Sequence, residues 1–164
     1  MTRTKRITIY ALLIALALVL SYVEGFIPVI AVPGVKLGLT NIVVIVALYK
    51  LGEKDALIIS LIRVLLIFLL FSNAASFFYS LAGALLSFVV MVLMKKSKKF
   101  SMISVSICGA VSHNVAQILV AMLIFETTAL FYYFIVLWFT GILAGFVIGI
   151  ISYEIVKRLP DFKR

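Results

Sequence analysis

The sequence has 164 residues, of which 65% are hydrophobic and 13% charged; a soluble domain is nearer half apolar and a quarter charged, so water-soluble folds are excluded and the solvent is lipid. The formal net charge of +9 does not point to nucleic acid, because Lys and Arg stand at the ends of apolar runs, where they set topology and meet anionic lipid. The length leaves room for one domain, and none for a soluble catalytic domain beside the helices.

In chain order, Met1 to Arg6 is basic and precedes an apolar run without a small-residue cleavage site after it. That pattern predicts an uncleaved first helix, about 7–27, rather than a signal peptide. Pro28, Pro33, Gly34 and Gly38 make the next segment a turn-rich connector. A short second helix is expected at about 39–51, tilted or starting inside the membrane. Helices at about 56–71, 77–94, 102–125 and 129–156 complete an all-α, polytopic domain over residues 1–164, with six transmembrane helices. Placing both termini in the cytoplasm puts 13 of the 15 basic residues on that side. Lys36 alone falls outside, and Arg63 lies within the membrane. The expected location is the cell membrane, as a multi-pass protein.

Small residues mark close helix contacts. Gly141, Gly145 and Gly149 are four apart, so they share one face and admit another backbone. Packing inside the molecule is the plain reading, and contact with another subunit the sharper one. Ala11 and Ala15 repeat that spacing on the first helix.

Ionisable groups in hydrocarbon are expensive, and each is a functional hypothesis. Arg63 lies about 10–12 Å from either end of the third helix at 1.5 Å per residue. It keeps its proton and needs an anionic partner or a wet cavity. Three readings compete: an ion pair with Glu24, an anchor for an anionic ligand group, or a side chain that snorkels to the interface. His113, Asn114 and Gln117 sit three and four apart, so all three can point to one side of the fifth helix. They suit a polar pocket, or hydrogen bonds between helices. Asn41 can line the outer half of such a pocket. Lys36 either pairs with Glu24 or closes over a negatively charged ligand. Phe131, Tyr132, Tyr133, Phe134 and Trp138 read as an interfacial aromatic belt or as a stacking wall for a flat ligand.

Several chemistries lack their residues. There is no Gly-rich phosphate loop and no Cys-x-x-Cys-His for covalent haem. One His cannot supply two axial haem ligands, and the lone Cys108 can form no internal disulfide. Asp55 and Asp161 are the only aspartates, whereas magnesium-dependent diphosphate chemistry needs clustered carboxylates. No catalytic residue, metal ligand or cofactor site is expected, and the chain does not read as an enzyme.

Three stretches carry a resemblance: Pro33-Gly-Val-Lys-Leu-Gly-Leu-Thr-Asn41, Phe77-Phe-Tyr-Ser-Leu-Ala-Gly-Ala-Leu-Leu-Ser87 and Gly109-Ala-Val-Ser-His-Asn-Val-Ala-Gln117. Together they resemble the membrane family called heptaprenyl diphosphate synthase component I, or Gx transporter. That family is similar to the substrate-binding S components of energy-coupling factor (ECF) vitamin transporters. The resemblance implies six helices, a cytoplasmic N-terminus and a small-molecule ligand. It also implies that Ala11 and Ala15 contact a coupling subunit, which works with ATPases. The enzymatic family label agrees poorly with a chain that has no Asp-rich motif. The alternative it suggests is a non-catalytic membrane subunit linked to menaquinone or polyprenyl metabolism. Relatives tied to flavin-based extracellular electron transfer extend that alternative to a bound quinone or flavin, or an extracytoplasmic redox partner.

Overall fold

The computed structural model describes residues 2–25, 38–71, 74–160 and 162. Six α-helices follow in order: α1 Arg3–Gly25, α2 Asn41–Lys50, α3 Glu53–Phe71, α4 Ala74–Ser97, α5 Met102–Ile124 and α6 Tyr133–Arg158. A 3-10 turn, Ala129–Tyr132, leads into α6. Among the described residues there is no strand. The connector expected around Pro28, Pro33 and Gly34 lies outside the described residues.

The helices run past the ends of the apolar stretches because charged first and last turns suit the helix dipole. Glu53 and Asp55 sit in the first turn of α3, and Lys95 and Lys96 in the last turn of α4. Each favours the partial charge at its own end. α5 starts sharply because the Ser101 hydroxyl accepts the Ser104 N–H at 3.1 Å, a side-chain N-cap. Helix six starts its α-helical part at Tyr133, later than the expected 129, because the chain first winds one tighter turn.

The distribution of polarity suits a lipid solvent. Large apolar side chains cover the outside: Leu12, Leu69, Leu123, Ile135 and Leu143 are all at least 64% exposed. Polar groups are inside instead, with Glu24, Thr40, Arg63, Ser87, Ser106 and Ser152 buried. α1, α4, α5 and α6 are each long and apolar enough to cross a membrane. α3 has sufficient length but carries Glu53, Lys54, Asp55 and Arg63.

α2 is the core. Ile42 to Leu48 are all buried, as expected of a helix that is apolar on every side. Ten residues at 1.5 Å each give a length of about 15 Å, half the hydrocarbon thickness of a bilayer. The helix therefore begins deep in the bundle.

One end of the bundle is tied by its basic residues. Arg6 of α1 pairs with Asp55 of α3, and Lys96 of α4 with Glu53 of α3 at 2.9 Å. Lys50 donates to the Leu159 carbonyl at 2.6 Å, just past α6. Lys95 donates to the Leu48 carbonyl at 2.6 Å and lies over the Tyr49 ring. These contacts gather the starts of α1 and α3 with the ends of α2, α4 and α6.

α5 and α6 pack backbone to backbone. A methyl built on Gly145 would lie 2.7 Å from Ile107 Cα, and one on Gly149 2.9 Å from Ile103 Cα. The Ser106 hydroxyl donates to the Gly145 carbonyl at 2.7 Å, a polar contact of the kind that joins helices in lipid. The glycine stripe thus faces α5, not the outside of the molecule.

Candidate functional site

Beyond the basic end, all six helices converge on one cavity of about 70 Å³. Ser21 and Glu24 come from α1, Thr40 and Asn41 from the start of α2, and Arg63 from α3. Ser76 and Ser80 come from α4, and His113, Asn114 and Gln117 from α5, while Gly141 and Ala144 close the α6 side. Ten of the 18 described lining residues carry polar side chains, unusual in a chain this apolar. Phe68 and Phe77, with ring centroids 4.7 Å apart, form an apolar corner.

Arg63 is 5% exposed. Its Nη1 donates to the Thr40 hydroxyl, which sits just before α2. Its Nε is buried and has no hydrogen-bond partner among the described residues. A buried donor left in that state costs about 1–3 kcal/mol. Glu24 is 6% exposed, accepts the Gly38 N–H and attracts Arg63 electrostatically. Among the described residues, the direct hydrogen-bond partner of the guanidinium is Thr40. Gly38, at φ +75°, turns the chain into α2; a side chain there would be strained and would crowd Asn41 Nδ2 at 3.3 Å.

The α5 wall is shaped by its neighbours. Asn114 Nδ2 donates to the Leu137 carbonyl of α6 at 2.8 Å. Space for it comes from Gly141, where a methyl would meet that nitrogen at 2.9 Å. On the other side, a methyl on Gly83 of α4 would lie 2.9 Å from both His113 Cε1 and Gln117 Cγ. Gly83 therefore makes the room in which the His113 and Gln117 side chains lie.

The structure brings Arg63, His113, Asn114, Gln117 and Asn41 into one lining. Lys36 lies outside the described residues. Ala11 and Ala15 are exposed on α1, away from the cavity. None of Phe131, Tyr132, Tyr133, Phe134 and Trp138 lines the cavity, and among the described residues its aromatic surface is Phe68 and Phe77. Sequence reasoning missed Thr40, Ser80 and Gly83. Neither Thr40 nor Gly83 had a signal without its neighbours, since the Thr40 hydroxyl caps no helix and acts through Arg63. Among the described residues, no three His, Cys, Asp or Glu side chains are grouped so as to hold a metal.

No curated protein and no solved structure matches the chain. The family model described as heptaprenyl diphosphate synthase component I matches residues 13–155, and the chain belongs to that family.

Proposed function

We propose that this protein is a membrane-embedded binding module for a small molecule with an anionic group, working as the S component of an ECF transporter does. The observation that carries the reading is the convergence of ten polar side chains on one cavity in an otherwise apolar chain. Polar groups at membrane depth are costly unless they serve a ligand or pathway, and a cavity with few convergent polar groups is the usual form of a small-molecule site. Arg63 anchors the anionic group. Asn41, His113, Asn114 and Gln117 contribute hydrogen bonds. Ala11 and Ala15 meet a coupling subunit attached to ATPases, which supply the energy. Six crossings place both termini in the cytoplasm, where the tied basic end satisfies the positive-inside rule.

Two measurements test this. The tagged protein should co-purify with a coupling subunit and ATPase, and retained or added small molecules should raise its melting temperature. Absence of both effects removes the proposal. Topology is tested with Cys108 replaced by Ala: a cysteine at Thr127 should label from outside intact cells, and one at Ser97 only after permeabilisation. The opposite pattern reverses the orientation.

A second reading draws on the family description itself, in which "component I" supports a partner subunit. Here the chain is a non-catalytic membrane subunit tied to polyprenyl or menaquinone metabolism or to extracellular electron transfer, holding a quinone, a flavin or a redox partner. Glu24 is the one carboxylate among the described lining residues, which argues against magnesium-dependent diphosphate chemistry by this chain alone. Deleting the gene should slow quinone-dependent reduction of external acceptors; unchanged rates exclude this reading.

A further inference from the structure

We infer that the ligand presents a hydrogen-bond donor, an N–H or O–H group, to the side-chain oxygen of Asn114 on the α5–α6 wall of the cavity. This subsite rests on the binding-module reading and names one chemical feature of its ligand.

The orientation of the Asn114 amide follows from its neighbour. Asn114 Nδ2 donates to the Leu137 carbonyl of α6 at 2.8 Å. A carbonyl oxygen only accepts. Turning the amide over would set Oδ1 against that oxygen, two acceptors with no hydrogen between them. The contact therefore fixes which end of the amide is nitrogen. Gly141 agrees, since a methyl built there would meet Nδ2 at 2.9 Å. The nitrogen lies in a notch of α6, and Oδ1 is at the end of the amide turned from it.

That oxygen is left over. Thr140, which shares the Leu137 carbonyl, gives its one hydroxyl hydrogen to its own helix, with the Val136 carbonyl at 2.9 Å and the Leu137 carbonyl at 3.2 Å. On α5 the Ser112 hydroxyl donates back to the Gly109 carbonyl at 3.0 Å. Among the described residues, Asn114 Oδ1 accepts no hydrogen bond. Nor is it one of the fully buried side-chain atoms that lack a partner, as Arg63 Nε is. Asn114 is only part-buried and lines the cavity, so Oδ1 keeps surface there for a ligand.

An amide oxygen in such a site favours a donor and disfavours an acceptor. A second lone pair brought against it loses its water and gains no bond. Amides, lactams, ring imides and alcohols carry the matching hydrogen. Esters, ethers and ketones do not. For the quinone of the second reading, the oxidised form only accepts, whereas the quinol donates and matches. The anionic group proposed for Arg63 is a separate part of the molecule.

The test uses the full chain in nanodiscs, with asparagine labelled by ¹³C and ¹⁵N. The sequence has three asparagines, so the Asn114 carboxamide signal is assigned by elimination with Asn41→Gln and Asn73→Gln. The probes are 2-pyrrolidone and γ-butyrolactone, rings of one size that differ by an N–H against a ring oxygen. Pyrrolidone should shift the Asn114 ¹³Cγ signal saturably, and butyrolactone should bind at least about tenfold more weakly. The Nδ2 protons should hold their position, because the bond to Leu137 stays. In Asn114→Leu the two probes should raise the melting temperature equally; should that variant fail to fold, the wild-type titration decides alone. An Asn114 signal indifferent to pyrrolidone, butyrolactone binding as tightly, or a preference that survives in Asn114→Leu overturns the inference. Mass spectrometry of small molecules retained on purification separates the two levels. A retained ligand with no N–H or O–H group defeats the inference and leaves the binding module standing. No retained ligand, no probe-dependent shift or melting and no coupling partner defeat both.

Discussion

On its α6 side, α5 meets Gly145 and Gly149, whose missing side chains let two backbones touch. On its α4 side it meets Gly83, whose missing side chain makes room for His113 and Gln117. The same residue type thus does opposite things on two faces of one helix. At the α5–α6 joint it removes space, and the Ser106 hydroxyl finds its acceptor on the Gly145 carbonyl. At the cavity it creates space, and Arg63 keeps an Nε without a partner among the described residues. Lipid gives no hydrophobic drive for one helix to seek another, so close packing and satisfied polar contacts hold a membrane bundle together. The cavity is the looser of the two regions, with open space and a buried Arg63 Nε that has no hydrogen-bond partner among the described residues. The joint is structural by this measure, and the cavity is the candidate site.

Substitution at the joint should therefore act on the fold. Gly145→Leu places a branched side chain where even a methyl would lie 2.7 Å from the Ile107 backbone. Backbone cannot move aside as a side chain can, so little folded protein is expected after extraction, measured as the monodisperse fraction in size-exclusion chromatography. Gly145→Ala should fold and lose about 1–3 kcal/mol, seen as a lower melting temperature. A wild-type melting curve for Gly145→Leu would show that α5 and α6 are not in contact here.

Substitution at the cavity should act on binding instead. Replacing Arg63 by Met together with Glu24 by Gln removes both buried charges and keeps an acceptor for the Gly38 N–H. Exchanging buried ionic groups for residues of similar volume is often neutral or stabilising, so the double variant should melt no lower than wild type. It should also lose all stabilisation by a retained ligand. A melting temperature several degrees below wild type would make Arg63 a structural residue and erase the contrast with the joint.

Gly83→Ala sharpens the comparison from the cavity side. The added methyl meets His113 and Gln117 at 2.9 Å, and both are side chains that can shift. Overpacking by one methyl should cost about 1 kcal/mol of stability, less than Gly145→Ala. Ligand affinity should fall by roughly tenfold, because the two polar groups leave their places in the lining. Equal loss of stability in the two alanine variants would mean that the glycines have the same role.

These two regions were unequally legible in the sequence. The glycines of α6 stand four apart, a period that announces a face, while their partner face on α5 is written in ordinary residues such as Ile103 and Ile107. Arg63 was legible because charge in an apolar run is conspicuous. His113 and Gln117 were legible through their spacing. Thr40 and Gly83 were not, because each matters through a residue distant in sequence: Thr40 through Arg63, and Gly83 through His113 and Gln117. Helix limits slipped for a related reason. Hydropathy marks where a chain leaves hydrocarbon, and α3 and α4 continue as helix through the charged turns beyond.

The basic end gives the smallest expected effect and a control for both regions. Lys96 and Glu53 join α4 to α3 at 2.9 Å, with side chains 60% and 37% exposed. Exposed pairs of this kind contribute about 0–1 kcal/mol, since solvent and salt screen the attraction and two long side chains must be held in place. Glu53→Gln should therefore shift the melting temperature by no more than a degree or two, and the shift should vanish in high salt. Ligand affinity should not change, because neither residue lines the cavity. A loss as large as that of Gly145→Ala would place structural weight at the tied end. A loss of binding would mean that the ends of α3 and α4 move when the cavity fills, coupling the basic end to the site.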